Sequence, residues 1–423
     1  MTWSAEFAQD SIHLATDRIP RDDGERQTRT AREILRRLQN QPGLILADEV
    51  GMGKTFVALA VAASVVLTSK KKHPVVVMVP AALRDKWPRE AQVFREKCLS
   101  DEARRLFTFD LATNGVEFFK LMDDPRDRRK AVVFLTHGAL NHGLNDPWVK
   151  LALVRETFRK RRSLHNIRRA FPRMAGRLLR MKWRRLEPED YERLLNTPPF
   201  QWRQFLGGIG IELDDDPVPA ALVETMRLVD KKPVIEALQH LPLYESASID
   251  QRLAVAREHL ARGVNQVWAD WLSMTDVRSP LLILDEAHHF KNPHTRHASL
   301  FQDADAAGDA ELVQGPLAGV FDRMLFLTAT PFQLGHRELI QVLRHFQAIR
   351  WKSSRAPESG KETFLEQITE LEKALNEAQL SALRFEAVWG RLKEENIADL
   401  DGNGMPPDRW WASIADRGGS TAL

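Results

Sequence analysis

The chain has 423 residues, 43% hydrophobic and 28% charged, with a formal net charge of +3. That length exceeds one ordinary core and implies about two to three domains, and the composition is that of a globular chain and not a disordered one. A single cysteine, Cys98, excludes an internal disulfide framework and fits a reducing cytosol. Residues 1–20 lack the apolar run of a secretory signal, and the most apolar segment, residues 56–67, is shorter than the about 20 residues of a membrane helix. The expectation is a cytoplasmic protein with no membrane partner.

In chain order, residues 22–40 place Ala31, Ile34, Leu35 and Leu38 at helix spacing, with Gln27 in the lead-in just ahead of that helix. Residues 43–46 read as a short buried strand. The stretch Ala-Asp-Glu-Val-Gly-Met-Gly-Lys-Thr, residues 47–55, joins it to an apolar helix running to about Thr68. A strand, a glycine turn and a helix opening on Lys-Thr is the arrangement that grips a phosphate chain. Gly51 and Gly53 let the backbone approach, Lys54 can bridge the outer phosphates, and the Thr55 hydroxyl can hold Mg²⁺. Asp48 stands where G-x-x-x-x-G-K-[ST] has glycine, so a plain glycine turn before a core helix is the competing reading at this point.

Residues 74–80 form a valine-rich run typical of a buried parallel strand, residues 84–94 supply a crossover helix, and residues 131–136 read as a third buried strand. The alternation predicts a parallel α/β sheet flanked by helices. From residue 141 to 279 no such run appears, and a helical insertion is expected. The pattern resumes where Leu281-Leu282-Ile283-Leu284 runs into Asp285-Glu286-Ala287-His288-His289, and where Met324-Leu325-Phe326-Leu327 runs into Thr328-Ala329-Thr330-Pro331. Ligands in open α/β sheets sit at the carboxyl ends of strands, so three polar strand ends should share one crevice. Beyond about Phe346, Phe364, Ile368, Leu371 and Leu375 mark one narrow apolar helix face; residues 382–393 read as a second helix and 399–423 as loop or frayed terminus. The expected divisions are 1–141 and 279–346 for the two parts of a nucleotide-binding lobe, 142–278 for a basic helical insertion, and 347–423 for a helical tail.

A triphosphatase also needs a carboxylate for the metal's shell and a group to orient the attacking water. Asp285 and Glu286 suit these roles at a strand end, although Asp-Glu pairs are common on surfaces. Thr328 and Thr330 read either as caps of a turn or as a network with Asp285, Glu286 and His288.

These residues carry a family resemblance. Residues 48–55 resemble the phosphate loop of Swi/Snf-like helicases and translocases of superfamily 2, where an acidic pair replaces the early glycine. Asp285-Glu286-Ala287-His288 looks like their DEAH box, and residues 327–331 resemble the coupling motif, which carries His288, Thr328 and Thr330 over as coupling residues. Residues 76–87, with Pro80-Ala81-Ala82-Leu83, are similar to the first nucleic-acid-facing motif and include Arg84 and Trp87. Phe134-Leu135-Thr136-His137-Gly138 looks like a later one and includes Thr136. Gln27 matches the glutamine that reads adenine in many such motors, with a plain surface glutamine as the alternative.

The resemblance implies a RecA-like lobe that binds ATP and Mg²⁺ through Gln27, Asp48, Glu49, Gly51, Met52, Gly53, Lys54 and Thr55, with Lys54, Asp285 and Glu286 catalytic and Thr55 and Asp285 on the metal. It further implies ATP hydrolysis coupled to movement on double-stranded DNA. Such motors have a second lobe bearing arginine fingers; no second series of buried strands follows Pro331, so the expectation is the first lobe alone, slow by itself, completed in cis or in trans. A nucleotide-dependent interaction or regulatory protein is the different class left open.

Between Arg155 and Arg185 thirteen Lys/Arg residues stand against one acid, Glu156. Arg159, Arg161, Arg162, Arg168 and Arg169 are candidate phosphate contacts, and Trp183 a candidate stacking partner for a base. A solvated face, or pairing with the acidic patch Asp214-Asp215-Asp216, is the competing reading.

Overall fold

The computed structural model describes residues 3, 5–17, 19–49, 51–69, 73–141, 143–159, 161–181, 186–275, 277–292, 298–301, 315–329, 336–391, 406, 408, 409 and 412. Thr330, Lys160 and Trp183 therefore lie outside the described residues, as does most of the expected terminal loop.

Six strands, β1 (Gly43–Ala47), β2 (Val75–Val79), β3 (Phe109–Ala112), β4 (Val132–Thr136), β5 (Leu282–Leu284) and β6 (Met324–Thr328), form one parallel sheet in the order β1-β6-β5-β2-β4-β3. The register is continuous: Ala47 lies opposite Thr328, Leu284 opposite both Phe326 and Met78, and Val79 opposite Thr136. Because every strand runs the same way, all six carboxyl ends emerge on one edge. β2 is buried at each of its five positions, which is why its run of valines and one methionine carries no alternation.

Helices α1 (Arg21–Leu38) and α2 (Lys54–Thr68) pack together beside β1. α2 is apolar almost all round and buried from Val57 to Val65. At roughly 1.5–3 kcal/mol for each fully buried Val or Leu side chain, its burial anchors the loop that precedes it. α1 starts at Arg21, after Pro20, with Asp22 and Asp23 complementing the dipole of its first turn. Gln27 is consequently inside α1 and not ahead of it, a correction to the sequence reading.

The crossover helix after β2 is α3 (Lys86–Cys98), followed by α4 (Asp101–Leu106) and α5 (Gly115–Asp123). Strand β3, between α4 and α5, has no counterpart in the expectations. It is four residues long, lies on the sheet edge, pairs only with β4, and exposes Asp110, so it lacks the apolar run that marks a central strand.

Among the described residues of 147–274 there are seven α-helices: α6 (Pro147–Phe158), α7 (His165–Leu179), α8 (Pro188–Asn196), α9 (Trp202–Gly208), α10 (Ala220–Thr225), α11 (Lys232–Leu238) and α12 (Ile249–Met274). After β6 come α13 (His336–Arg344) and α14 (Gly360–Trp389). The contacts divide the chain into two compact units, Met1–Glu362 and Thr363–Leu423, so the insertion and the sheet belong to one unit. α14 is one unbroken helix of 30 residues where two were expected; no glycine or proline separates residues 375 and 382. Among the described residues no helix is long and apolar enough to cross a membrane.

Arg323, fully buried just before β6, ties that strand to the end of α1 and to the turn at Arg355. Its guanidinium donates to the carbonyls of Leu38 and Gln39 at the C-terminus of α1, and to those of Asp322 and Arg355. The α1 carbonyls have no partner within the helix, so Arg323 serves as its cap. Arg323→Met should remove this donor set and destabilise the protein by roughly 3 kcal/mol or more, since each orphaned buried acceptor costs about 1–3 kcal/mol. Urea unfolding would register a lower midpoint at unchanged slope, and a change within about 0.5 kcal/mol would contradict the capping role.

Candidate functional site

The phosphate-loop stretch leaves β1 at Ala47 and enters α2 at Lys54. Gly51 has φ 91° and Gly53 φ 82°, a left-handed backbone that favours glycine. Gly53 is the N-cap of α2, so the first-turn N–H groups of a firmly anchored helix open onto the loop.

Two neighbouring residues of α1 hold the loop. A Cβ on Gly53 would lie 2.3 Å from Gln27 Nε2, which means the Gln27 carboxamide sits directly on the loop. Gln27 is 5% exposed, and its Oε1 is buried with no hydrogen-bond donor. Arg26 donates to the Met52 carbonyl at 3.1 Å and lies 3.8 Å from the Asp48 carboxylate. Lys54 Nζ donates to the carbonyls of Asp48 and Glu49, at 2.6 and 2.7 Å. Thr55 is half-buried one residue into α2. Arg26 was not singled out by sequence; its place beside Gln27 on a helix aimed at the loop was the available signal.

The acidic pair lies two strands away from β1, after β5. The Asp285 N–H continues the ladder to the Met78 carbonyl at 2.9 Å. The Asp285 carboxylate accepts from the Trp87 indole N–H at 2.8 Å and from the Glu286 N–H at 2.9 Å. Burial holds the Asp285 carboxyl above its ordinary value, and the Trp87 donor pulls the other way. Glu286 has φ 50° and ψ 51°, a left-handed conformation costing about 1–2 kcal/mol in a residue with a Cβ. Its Oε2 is 3.1 Å from His288 Nδ1, without the alignment of a hydrogen bond. Backbone strain of this kind clusters at ligand-binding and catalytic sites of proteins in general. Thr328 ends β6, between the two strands, and its carbonyl accepts from the Asp48 N–H at 3.4 Å.

The residues expected to face nucleic acid divide. Arg84 is exposed after the carboxyl end of β2, and Thr136 is half-buried at that of β4. Trp87 is instead 2% exposed, packed near Phe134 with ring centroids 6.3 Å apart, so it offers no face to a ligand and holds Asp285 in place. Its apolar body fills the core while its single donor reaches a carboxylate. His137 is buried beyond β4 and meets the turn after the acids, 5.0 Å from the Phe290 ring. Arg159, Arg161, Arg162, Arg168 and Arg169 lie on the insertion, and among the described residues no hydrogen bond or ion pair joins them to the strand ends.

Trp87→Phe keeps most of the packing and removes only the donor. It should cost about 1.5–3 kcal/mol, the range for a hydrogen bond to a charged group, whereas Arg84→Ala should stay within about 0.5 kcal/mol. Equal effects in denaturant unfolding would contradict the buried positioning role.

Residues 26–115 match the family described as the SNF2-related domain. The match takes in Arg26, Gln27, the phosphate loop, β2 and Trp87, and ends before β4. A comparison with curated proteins found no match. Over these residues the chain is similar to a Swi/Snf-like helicase-type region.

Proposed function

We propose that the chain is the ATP-binding lobe of a Swi/Snf-like superfamily 2 motor, with a DEAH box at Asp285-Glu286-Ala287-His288, that couples ATP hydrolysis to movement on double-stranded DNA. One observation carries this reading: the phosphate loop after β1 and the acids after β5 open on the same sheet edge, with only β6 between them. ATP with Mg²⁺ fits the residues present. The orphaned Gln27 Oε1 is an acceptor for the exocyclic amine of adenine, and the first-turn N–H groups of α2 with Lys54 Nζ suit phosphate oxygens. Thr55 and Asp285 would hold the metal, which when bound offsets the charge gathering on those oxygens.

Glu286 orients the attacking water and takes its proton, with His288 beside its carboxylate to fix its direction. Trp87 orients Asp285. Thr328, on the strand between loop and acids, is where contacts to either are relayed, together with Thr330. Arg84 and Thr136, at the ends of β2 and β4, face the DNA. A second RecA-like lobe, in cis or in trans, supplies arginine fingers worth roughly 10³–10⁵ in turnover, so the single lobe hydrolyses slowly.

Lys54→Ala should abolish binding of a fluorescent ATP analogue. Glu286→Gln should bind it like the parent and stop turnover, and full hydrolysis by that variant would overturn the role given to Glu286.

A further inference from the structure

The structure sorts the cations that the sequence runs together on the insertion. Arg177 is committed, 3.1 Å from Glu245 and 3.4 Å from Asp250. Arg155, in the last turn of α6, is 18% exposed, and its Nε is buried with no acceptor. Its one carboxylate partner among the described residues, Glu156, is 3.7 Å away, is itself 12% exposed, and is shared with Arg159 at 3.4 Å. Arg161 is exposed and has no ion-pair partner among the described residues.

Further positive charge arrives from a distant stretch. α6 packs against both α7 and α11, and the turn between α10 and α11 brings in Arg227, exposed, and Lys231, whose ammonium donates to the carbonyls of Val229 at 2.9 Å and Arg227 at 3.3 Å. Arg168, near the start of α7, donates to Asn196 Oδ1 at 2.6 Å. Burial pushes the Arg155 guanidinium down from its ordinary value; Glu156 opposes that, and Arg159, Arg168 and Arg227 add to it. Lys231 is pushed down by burial and by Arg161 against Glu156 and Asp230. The group is thus crowded with like charge: six cations stand round Glu156 and Asp230, so it is short of negative charge.

We propose that Arg155, Arg159, Arg161, Arg168, Arg227 and Lys231, gathered round Glu156 from three stretches of chain, form a site for the phosphate backbone of nucleic acid on the helical insertion. The proposal rests on the reading of the chain as a nucleic-acid motor lobe. A phosphodiester supplies both the missing charge and acceptor oxygens suited to guanidinium forks, without reading base sequence. The site lies on elements separate from the strand-end face, so it adds grip without entering the chemistry.

The test is binding of a short fluorescein-labelled duplex to the full chain, followed by anisotropy across a salt series. Arg161→Gln/Arg227→Gln removes two exposed cations of the group. Arg105→Gln/Arg126→Gln removes two exposed cations elsewhere, without an ion-pair partner among the described residues, as a charge-matched control. The first pair should weaken binding and lower the slope of log affinity against log salt by about two, with the control at the parent slope. An unchanged slope in the first pair, or equal losses in both, overturns the site. Nucleotide binding is followed in parallel: a duplex-binding parent with intact nucleotide binding and an unmoved slope fails the insertion site alone. A parent that binds no duplex at all fails the motor reading with it.

Discussion

Everything at the candidate site depends on the parallel register of β1, β6, β5 and β2. Neighbouring strands in a sheet are about 4.8 Å apart, so the one strand between β1 and β5 sets the phosphate loop and the acids about 10 Å apart. That is a span which a phosphate chain and its metal can bridge. The same register puts Thr328 level with Ala47, between loop and acids, and carries β2 and β4 to the same edge. Had any of these strands run the other way, its polar end would lie on the far side of the sheet.

Several groups at this edge are held away from their local optimum. Glu286 is left-handed, Gln27 Oε1 accepts nothing, and Asp285 is buried as a carboxylate with Trp87 as its main donor. Each costs on the order of 1–3 kcal/mol. The buried faces of α1, α2 and the sheet, with the Arg323 cap at the opposite end of β6, make those departures tolerable. Stability is concentrated in the body of the sheet, and the strained and underpaired groups at its edge.

Five of the six strands were legible because a strand buried on both faces leaves an unbroken apolar run. β3 left none, being short, at the edge and interrupted by Asp110. The loop, the acids and Thr328 were legible as polar residues ending such runs. The roles of Trp87 and Arg26 were not, because both arise from contacts across the fold, Trp87 with a residue far along the chain. Gln27 was named, but its position inside α1 depended on where the helix starts, which Pro20 decides. On the insertion, the charge run was visible, whereas the arrival of Arg227 and Lys231 beside it required the packing of α11 on α6.

The claim that loop and acids form one nucleotide site is tested most directly by a double-mutant cycle. Thr55→Val and Asp285→Asn, alone and together, would be compared for magnesium-dependent ATP affinity. Two ligands of one metal should show a coupling of more than about 0.5 kcal/mol. Losses that simply add, to within about 0.3 kcal/mol, would mean the two strand ends do not share a metal, and would contradict the account.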